Sequence, residues 1–306
     1  MKAVVFGYRE FACVGLEELL AMEVEVPLVV TYPRGPADAP GYRCLAEVAR
    51  RRGIPVTTPP DAGGRELLDW VRGVRPDCLF SFHYAHAVPR SVRAAARGGA
   101  FNLHLSLLPR WRGRDPIPHI ILAGDPETGL TLHEMAEEFD SGDVVGQVRF
   151  PGAPRETATT LYEKSLAASR VLLRKVVPLI AEDRTPLAPQ DATRATVVPA
   201  PEPRRRLDRR ASVDRFDRTV RAFARPFGGA RIPCGGETVV VLDGEPGEGP
   251  GGIPIPLADG VYRILRLCYQ GEPETGWEEF LRRYPAAPAL LGVPPAPPDL
   301  PGQTPR

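Results

Sequence analysis

A chain of 306 residues with 39 Lys or Arg against 38 Asp or Glu, net charge +1, has no overall field to drive it onto nucleic acid or acidic lipid, so its binding is local. The length exceeds what one hydrophobic core usually fills, and two domains are the default. Five cysteines, Cys13, Cys44, Cys78, Cys234 and Cys268, form no Cys-x-x-Cys pair. This argues against a zinc site or a disulfide framework and for free thiols in a reducing cytoplasm. No apolar run suits a signal peptide or a membrane span, so a cytoplasmic protein with no membrane partner is expected.

In chain order, residues 3–6 form an apolar strand, 14–22 carry the helical spacing of Leu16, Leu19 and Leu20, and 26–31 form a second strand. A helix over 42–52 stopped by Gly53, a short strand over 54–56, a helix over 64–74 and a buried strand over 78–82 follow. A helix over 88–96 then leads into a strand over 100–104. The alternation predicts an α/β fold, a doubly wound, mostly parallel sheet whose ligands sit beyond the carboxyl ends of the strands. The turn Gly7-Tyr8-Arg9-Glu10-Phe11-Ala12 lacks Gly-x-Gly-x-x-Gly, no Gly-x-x-x-x-Gly-Lys-(Ser/Thr) loop is present, and Ser106 and Ser141 stand in no Gly-x-Ser-x-Gly elbow. Nicotinamide binding, nucleoside triphosphate hydrolysis and serine hydrolase chemistry therefore lack support.

An amphipathic helix over 160–180 closes the first domain, taken as 1–185. Residues 186–203 hold five prolines and are expected to be a linker. A helix over 213–223 and β-rich runs at 238–242 and 261–267 indicate a small β-barrel domain over 204–284. The proline-rich tail, 285–306, is expected to have no packed structure.

The chemistry is concentrated in Asn102-Leu-His104-Leu-Ser106-Leu-Leu-Pro109-Arg-Trp-Arg112-Gly113, followed one helix and one strand later by Asp140-Ser-Gly142-Asp143. On a strand, positions 102 and 104 point to one face. An amide donor and an imidazole side by side can hold an acyl oxygen as charge develops on it and move a proton. Asp140 is the carboxylate to orient or balance the imidazole. The reaction class is acyl transfer without a covalent enzyme intermediate.

These blocks, with Gly124-Asp-Pro-Glu127-Thr128-Gly129 between them, resemble the formyltetrahydrofolate-dependent formyltransferases. The resemblance covers about residues 1–180 well and 200–270 loosely, through Arg221-Ala222-Phe223 and Arg225-Pro226-Phe227-Gly228-Gly229. It implies a Rossmann-like catalytic domain and a smaller C-terminal OB-like β-barrel. It further implies direct formyl transfer from 10-formyltetrahydrofolate to a primary amine, with no metal. Asn102 would donate to the oxyanion, His104 would transfer protons, and Asp140 would keep its protonation state favourable and receive the amine proton. The pterin of the folate would lie against His86, Ala87 and Val88 and against Ala136 to Asp140.

Within the family, Val4-Val5-Phe6-Gly7-Tyr8, the Ser81-to-His86 block and Arg112-Gly113-Arg114 are most similar to the enzymes that formylate UDP-4-amino-4-deoxy-L-arabinose in lipid A modification. The partner implied is a nucleotide amino sugar held by Tyr8, Arg112, Arg114 and Asp115. Methionyl-tRNA formyltransferases are the alternative, but they carry a longer basic loop where residues 31–42 offer only Arg34. The cluster Arg204 to Arg206 with Arg209 and Arg210 is more simply a solvated surface, and no nucleic-acid partner is expected. A non-catalytic RNA- or nucleotide-binding module would need more stacking aromatics than Tyr262 and Tyr269. A formyltetrahydrofolate deformylase would carry an N-terminal regulatory domain instead of a barrel. A homo-oligomer is left open. Asp115 replaces the usual Ala before Pro116 and has three candidate roles: capping the next helix, pairing with Arg112 or Arg114, or contacting sugar hydroxyls.

Overall fold

The structure, a computed structural model, describes residues 1–33, 42–59, 64–198 and 202–292. It divides into two compact units, 1–199 and 200–306.

The first unit runs β1 Lys2–Gly7, α1 Arg9–Ala21, β2 Glu25–Val30, α2 Leu45–Arg51, β3 Val56–Thr57, α3 Arg65–Val74, β4 Cys78–Phe82, α4 Arg90–Arg93, β5 Ala100–His104, α5 Pro116–Ala123, β6 Glu127–Glu134, β7 Val144–Pro151 and α6 Ala158–Ala181. The seven strands order as β3-β2-β1-β4-β5-β6-β7. β1 to β5 are parallel, and β6 and β7 are antiparallel. The apolar run Ala3 to Phe6 is fully buried because helices cover both faces, α3 and α4 on one side and α1 and α6 on the other. This is the doubly wound, mostly parallel sheet expected.

Several boundaries differ from the expected ones for identifiable reasons. α1 starts before its apolar spacing becomes regular: Tyr8 supplies no side-chain cap, and the Tyr162 hydroxyl of α6 instead accepts from the Phe11 amide at 3.2 Å. α6 starts at Ala158 because Thr157 and Thr160 form a reciprocal capping box. The helix expected over 88–96 is only α4, which tightens into i→i−3 bonds at Ala95 and Ala96 before Gly98 donates to the Asp77 carbonyl at 2.7 Å.

The segment expected to be a linker bonds back onto the first unit instead. Ala188 bridges Val144, Val197 bridges Arg112, and the Gln190 side chain reaches the loop after β6. Prolines stiffen this stretch without detaching it, since the amides of Ala188, Thr196 and Val198 donate to the Val144, Pro109 and Arg112 carbonyls.

The second unit runs α7 Val213–Ala222, β8 Ala230–Cys234, β9 Glu237–Pro246, β10 Ile253–Leu257, β11 Gly260–Tyr269, β12 Thr275–Gly276, α8 Trp277–Arg283 and α9 Ala287–Leu290. The antiparallel order is β10-β11-β9-β8, with β12 on β11. β10, Ile-Pro-Ile-Pro-Leu, buries Ile253 and Ile255 and exposes Pro254 and Pro256. Proline interrupts a strand in sequence, yet it is tolerated here because β10 is an edge. The tail expected to be unpacked from 285 onward packs at its start: Ala287 and Leu291 are buried. Residues 293–306 lie outside the described residues.

Candidate functional site

The β4–β5 register pairs Ser81 with Asn102 and Phe82 with Leu103, while β6 sets His133 opposite Asn102 and Thr131 opposite His104. Asn102 and His104 share a face as the period of two requires, with His133 beside them. The loop between β6 and β7 returns over β5 and brings in Asp140. A close backbone approach makes this return possible: a Cβ on Gly142 would lie 2.0 Å from the Glu134 carbonyl oxygen, so only glycine fits.

Asp140 is the hub. Its Oδ1 accepts from Asn102 Nδ2 at 3.2 Å and lies 3.3 Å from His133 Nε2. Its Oδ2 accepts from the Gly113 amide at 2.8 Å and lies 3.5 Å from His104 Nδ1. His104 Nε2 is 2.7 Å from the Trp111 carbonyl oxygen, which can only accept, so this nitrogen carries the proton. In the same way His133 Nδ1 donates to the Glu134 carbonyl at 2.7 Å, leaving Nε2 3.2 Å from Asn102 Nδ2. His104 and Asp140 are 6% and 9% exposed.

Burial first favours neutral forms, and the two partners respond differently. For His104, desolvation outweighs the attraction of Asp140, and His133 adds to the effect, so its pKa is lowered and the imidazole stays neutral. For Asp140, burial works to raise the pKa, but His104, His133 and the Gly113 amide together hold it well below the carboxylate range. A neutral imidazole, an amide donor and a fixed carboxylate thus converge beside one strand end.

The second side of the site is the 111–115 loop. Gly113 takes φ +99 to present its amide to Asp140. Arg112, expected at the substrate, donates from Nε and Nη2 to Gln190 Oε1 at 3.1 and 2.8 Å. Gln190 in turn donates to the carbonyls of Asp140 and Gly142 at 2.8 and 2.7 Å. Arg114 donates to the Ala85 carbonyl at 3.0 Å.

Asp115 neither caps α5 with its side chain nor pairs closely with Arg112 or Arg114; its Oδ1 lies 3.3 Å from His83 Nε2. Tyr8, at the end of β1, meets Tyr32 edge-on, and Tyr32 stacks on Tyr84 with centroids 4.8 Å apart, next to His86. These groups lie where strand order turns outward from β1 and β4, the crevice in which such sheets bind ligands.

The two segments expected at the pterin are brought together. Val88 and Met135 pack in one apolar cluster. Arg93 donates to the Met135 carbonyl at 2.6 Å and to Glu137 at 2.7 Å. His86 and Ala87 are exposed, and Ala136 is half-buried. Sequence reasoning did not assign His133 or Gln190. The available signal for His133 was its alternation with Thr131 in the run Gly129-Leu-Thr131-Leu-His133. Gln190 had none, because its place depends on the return of a chain segment 50 residues from Asp140.

Among the described residues no helix is long and apolar enough to cross a membrane, and no group of His, Cys, Asp and Glu is arranged to hold a metal ion. The structure is similar to a HypX variant from Aquifex aeolicus at TM-score 0.71 and 17% identity, over 93% of this chain and 47% of that one. This chain therefore spans about half the length of HypX. It is also similar to an N-formyltransferase from Helicobacter canadensis, solved with folinic acid and dTDP-3-aminofucose, at TM-score 0.67 and 19% identity, covering 86% and 98% of the two chains. A third, WlaRD, a sugar 3N-formyl transferase solved with dTDP and 5-N-formyltetrahydrofolate, matches at TM-score 0.64 and 17% identity over 89% and 99%. At these identities the likenesses establish the fold. The model of the formyl transferase family matches residues 3–177, a span that carries Asn102, His104, Asp140 and the loops that hold them, and the chain belongs to that family.

Proposed function

We propose that this protein transfers a formyl group from 10-formyltetrahydrofolate to the primary amine of a nucleotide-linked amino sugar of the UDP-4-amino-4-deoxy-L-arabinose kind, as in lipid A modification. The observation that carries it is the convergence of Asn102, His104 and Asp140 on one strand end, with both histidine tautomers set by backbone carbonyls. Such a site suits an acyl donor and a neutral amine. It offers no nucleophile to be acylated.

The folate supplies the formyl carbon at the oxidation level of an acid, so no redox step is needed. Val88, the exposed residues His86 and Ala87, and the loop from Ala136 to Asp140 suit a flat ring with polar edges. Asn102 turns one amide hydrogen from Asp140 or His133 to the formyl oxygen as that oxygen gains charge. Asp140, ionised by its neighbours, draws a proton from the attacking nitrogen directly or through water. His104, neutral at its buried position, shares that proton and passes it toward the leaving nitrogen. Tyr8, Arg114 and Asp115 border the acceptor side. Arg112 acts through Gln190, which holds the Asp140 loop. The antiparallel sheet of the second unit forms the core of an OB-like barrel in this reading.

Purified protein given 10-formyltetrahydrofolate should formylate a UDP-linked 4-amino sugar and leave methionyl-tRNA untouched. Efficient transfer to methionyl-tRNA, falling steeply as salt rises, would reverse the assignment of the acceptor. The connection that separates the two acceptor classes in sequence, with Arg34, falls mostly outside the described residues.

A further inference from the structure

Asp115 is released from the task its position suggests. It precedes a Pro at the first turn of α5, yet its side chain makes no capping bond, and its backbone is left-handed at φ 56 and ψ 60. His83, just past β4, is left-handed as well, at φ 58. Its Nε2 meets Asp115 Oδ1 at 3.3 Å, while its Nδ1 is buried with no hydrogen-bond partner among the described residues. Nε2 is therefore the nitrogen committed to the carboxylate. Left-handed backbone outside glycine is costly and collects at functional sites. Of the eight such residues described, Arg9, His83, Trp111, Asp115 and Asp140 all border this one.

The 111–115 loop ties the pair to the reacting centre. Trp111 bonds His104, Gly113 bonds Asp140, Arg114 bonds Ala85 and Asp115 meets His83. Only Arg114 separates Gly113, whose amide is on Asp140, from Asp115, so their Cα atoms are at most about 7 Å apart. The Asp115 side chain remains 29% exposed. Burial works to raise its pKa, but His83, Arg114 and Arg9 outweigh this and keep it ionised. An ionised carboxylate can only accept hydrogen bonds. The reacting amine must be neutral, and a second carboxylate against it would hold its proton. The donor that suits Asp115 is therefore an uncharged hydroxyl next to that amine.

We propose that Asp115, fixed in place by His83, accepts a hydrogen bond from a sugar hydroxyl on the carbon adjacent to the reacting amine and so determines which amino sugars are formylated. His83 is the positioning residue, and the proposal rests on the amino-sugar function given above.

The test compares UDP-4-amino-4-deoxy-L-arabinose with its analogue lacking the hydroxyl next to the amine, in the wild type and in Asp115→Asn, Asp115→Ala, His83→Phe and His83→Gln. The wild type should prefer the hydroxylated acceptor in kcat/KM by about tenfold or more, the effect of one hydrogen bond to a charged group. Asp115→Ala should bring the ratio close to one, mainly through KM. Asp115→Asn, which keeps the shape, should lower it if the alanine variant does not fold. His83→Phe should lower the ratio, and His83→Gln, with an N–H to offer the carboxylate, should restore much of it. A folded Asp115 variant that keeps the wild-type ratio overturns the proposal, as does a wild type without preference or a His83→Phe effect equal on both acceptors. If the wild type formylates neither sugar, the function itself fails and this inference falls with it, an outcome distinct from product formed without discrimination.

Discussion

The floor of the site and its rim are built on opposite plans. On the floor, Asn102, His104, His133 and Asp140 are nearly enclosed and held by internal bonds: Asn102 to Asp140 and His133, His104 to the Trp111 carbonyl, and His133 to the Glu134 carbonyl. On the rim, Tyr8, His86, Arg114 and Asp115 are partly or fully exposed: Tyr8 and His86 pack edge-on to Tyr32, Arg114 donates to the Ala85 carbonyl, and Asp115 meets His83. Preorganised groups stabilise developing charge best when they need not move, whereas acceptor choice needs groups that an incoming ligand can reach. The contrast separates residues whose loss should lower kcat from residues whose loss should alter KM and preference.

The strongest way to break the contrast is to remove the floor. His104→Ala and Asp140→Asn should each lower kcat by about 10²- to 10⁴-fold, the range for a positioned proton-transfer group. Folate affinity, measured by calorimetry, should stay within a few-fold. Turnover near the wild-type rate in either variant would remove that residue from the mechanism. Asn102→Ala should cost about 3 kcal/mol of transition-state stabilisation, the usual value for one oxyanion donor, with KM for the sugar little changed. A rise in KM alone would move Asn102 from floor to rim.

Gln190 sharpens the division, because it supports the floor through the loop that carries Asp140. Its amide holds the Asp140 and Gly142 carbonyls and receives Arg112. Gln190→Ala should lower kcat by about tenfold to a hundredfold, as loss of a supporting bond around a reactive group does elsewhere, and Arg112→Ala should follow it. Their double variant should be far from additive, since both act through one network. Additive losses would show that Arg112 also binds substrate.

What the sequence shows of this arrangement follows the same division. Buried parallel strands appear as continuous apolar runs, so β1, β2, β4 and β5 are visible, and Asn102 and His104 are visible on the last of them. The edge strand β10 is hidden by its own prolines, harmless only because Pro254 and Pro256 face away from the core. His133 is hidden because its place opposite Asn102 is a fact of antiparallel register. Asp115 is misleading in sequence: Asp before Pro indicates a helix cap, and only the left-handed backbone and the His83 contact show that it does something else.

The smallest effect probes the floor through pH. In an unfolded chain His104 takes up a proton near pH 6.5, about the value for a free histidine. In the fold burial lowers that pKa. Between the two values the unfolded chain binds one proton more, so stability rises with pH there by at most about 1.4 kcal/mol per pH unit. The contribution is fully present above about pH 6.5 and is lost as pH falls toward the folded value. Asp140, whose pKa is also lowered, remains ionised in both states across this window and adds its own loss only below the ordinary carboxylate range. His104→Gln, which can still donate to the Trp111 carbonyl, should therefore lose less stability than the wild type between pH 7.5 and 5.5. Urea unfolding followed by tryptophan fluorescence measures the difference, expected at about 1 kcal/mol. A wild type that loses less than the variant on acidification would mean that His104 is charged in the fold, and proton transfer would then have to begin from the imidazolium.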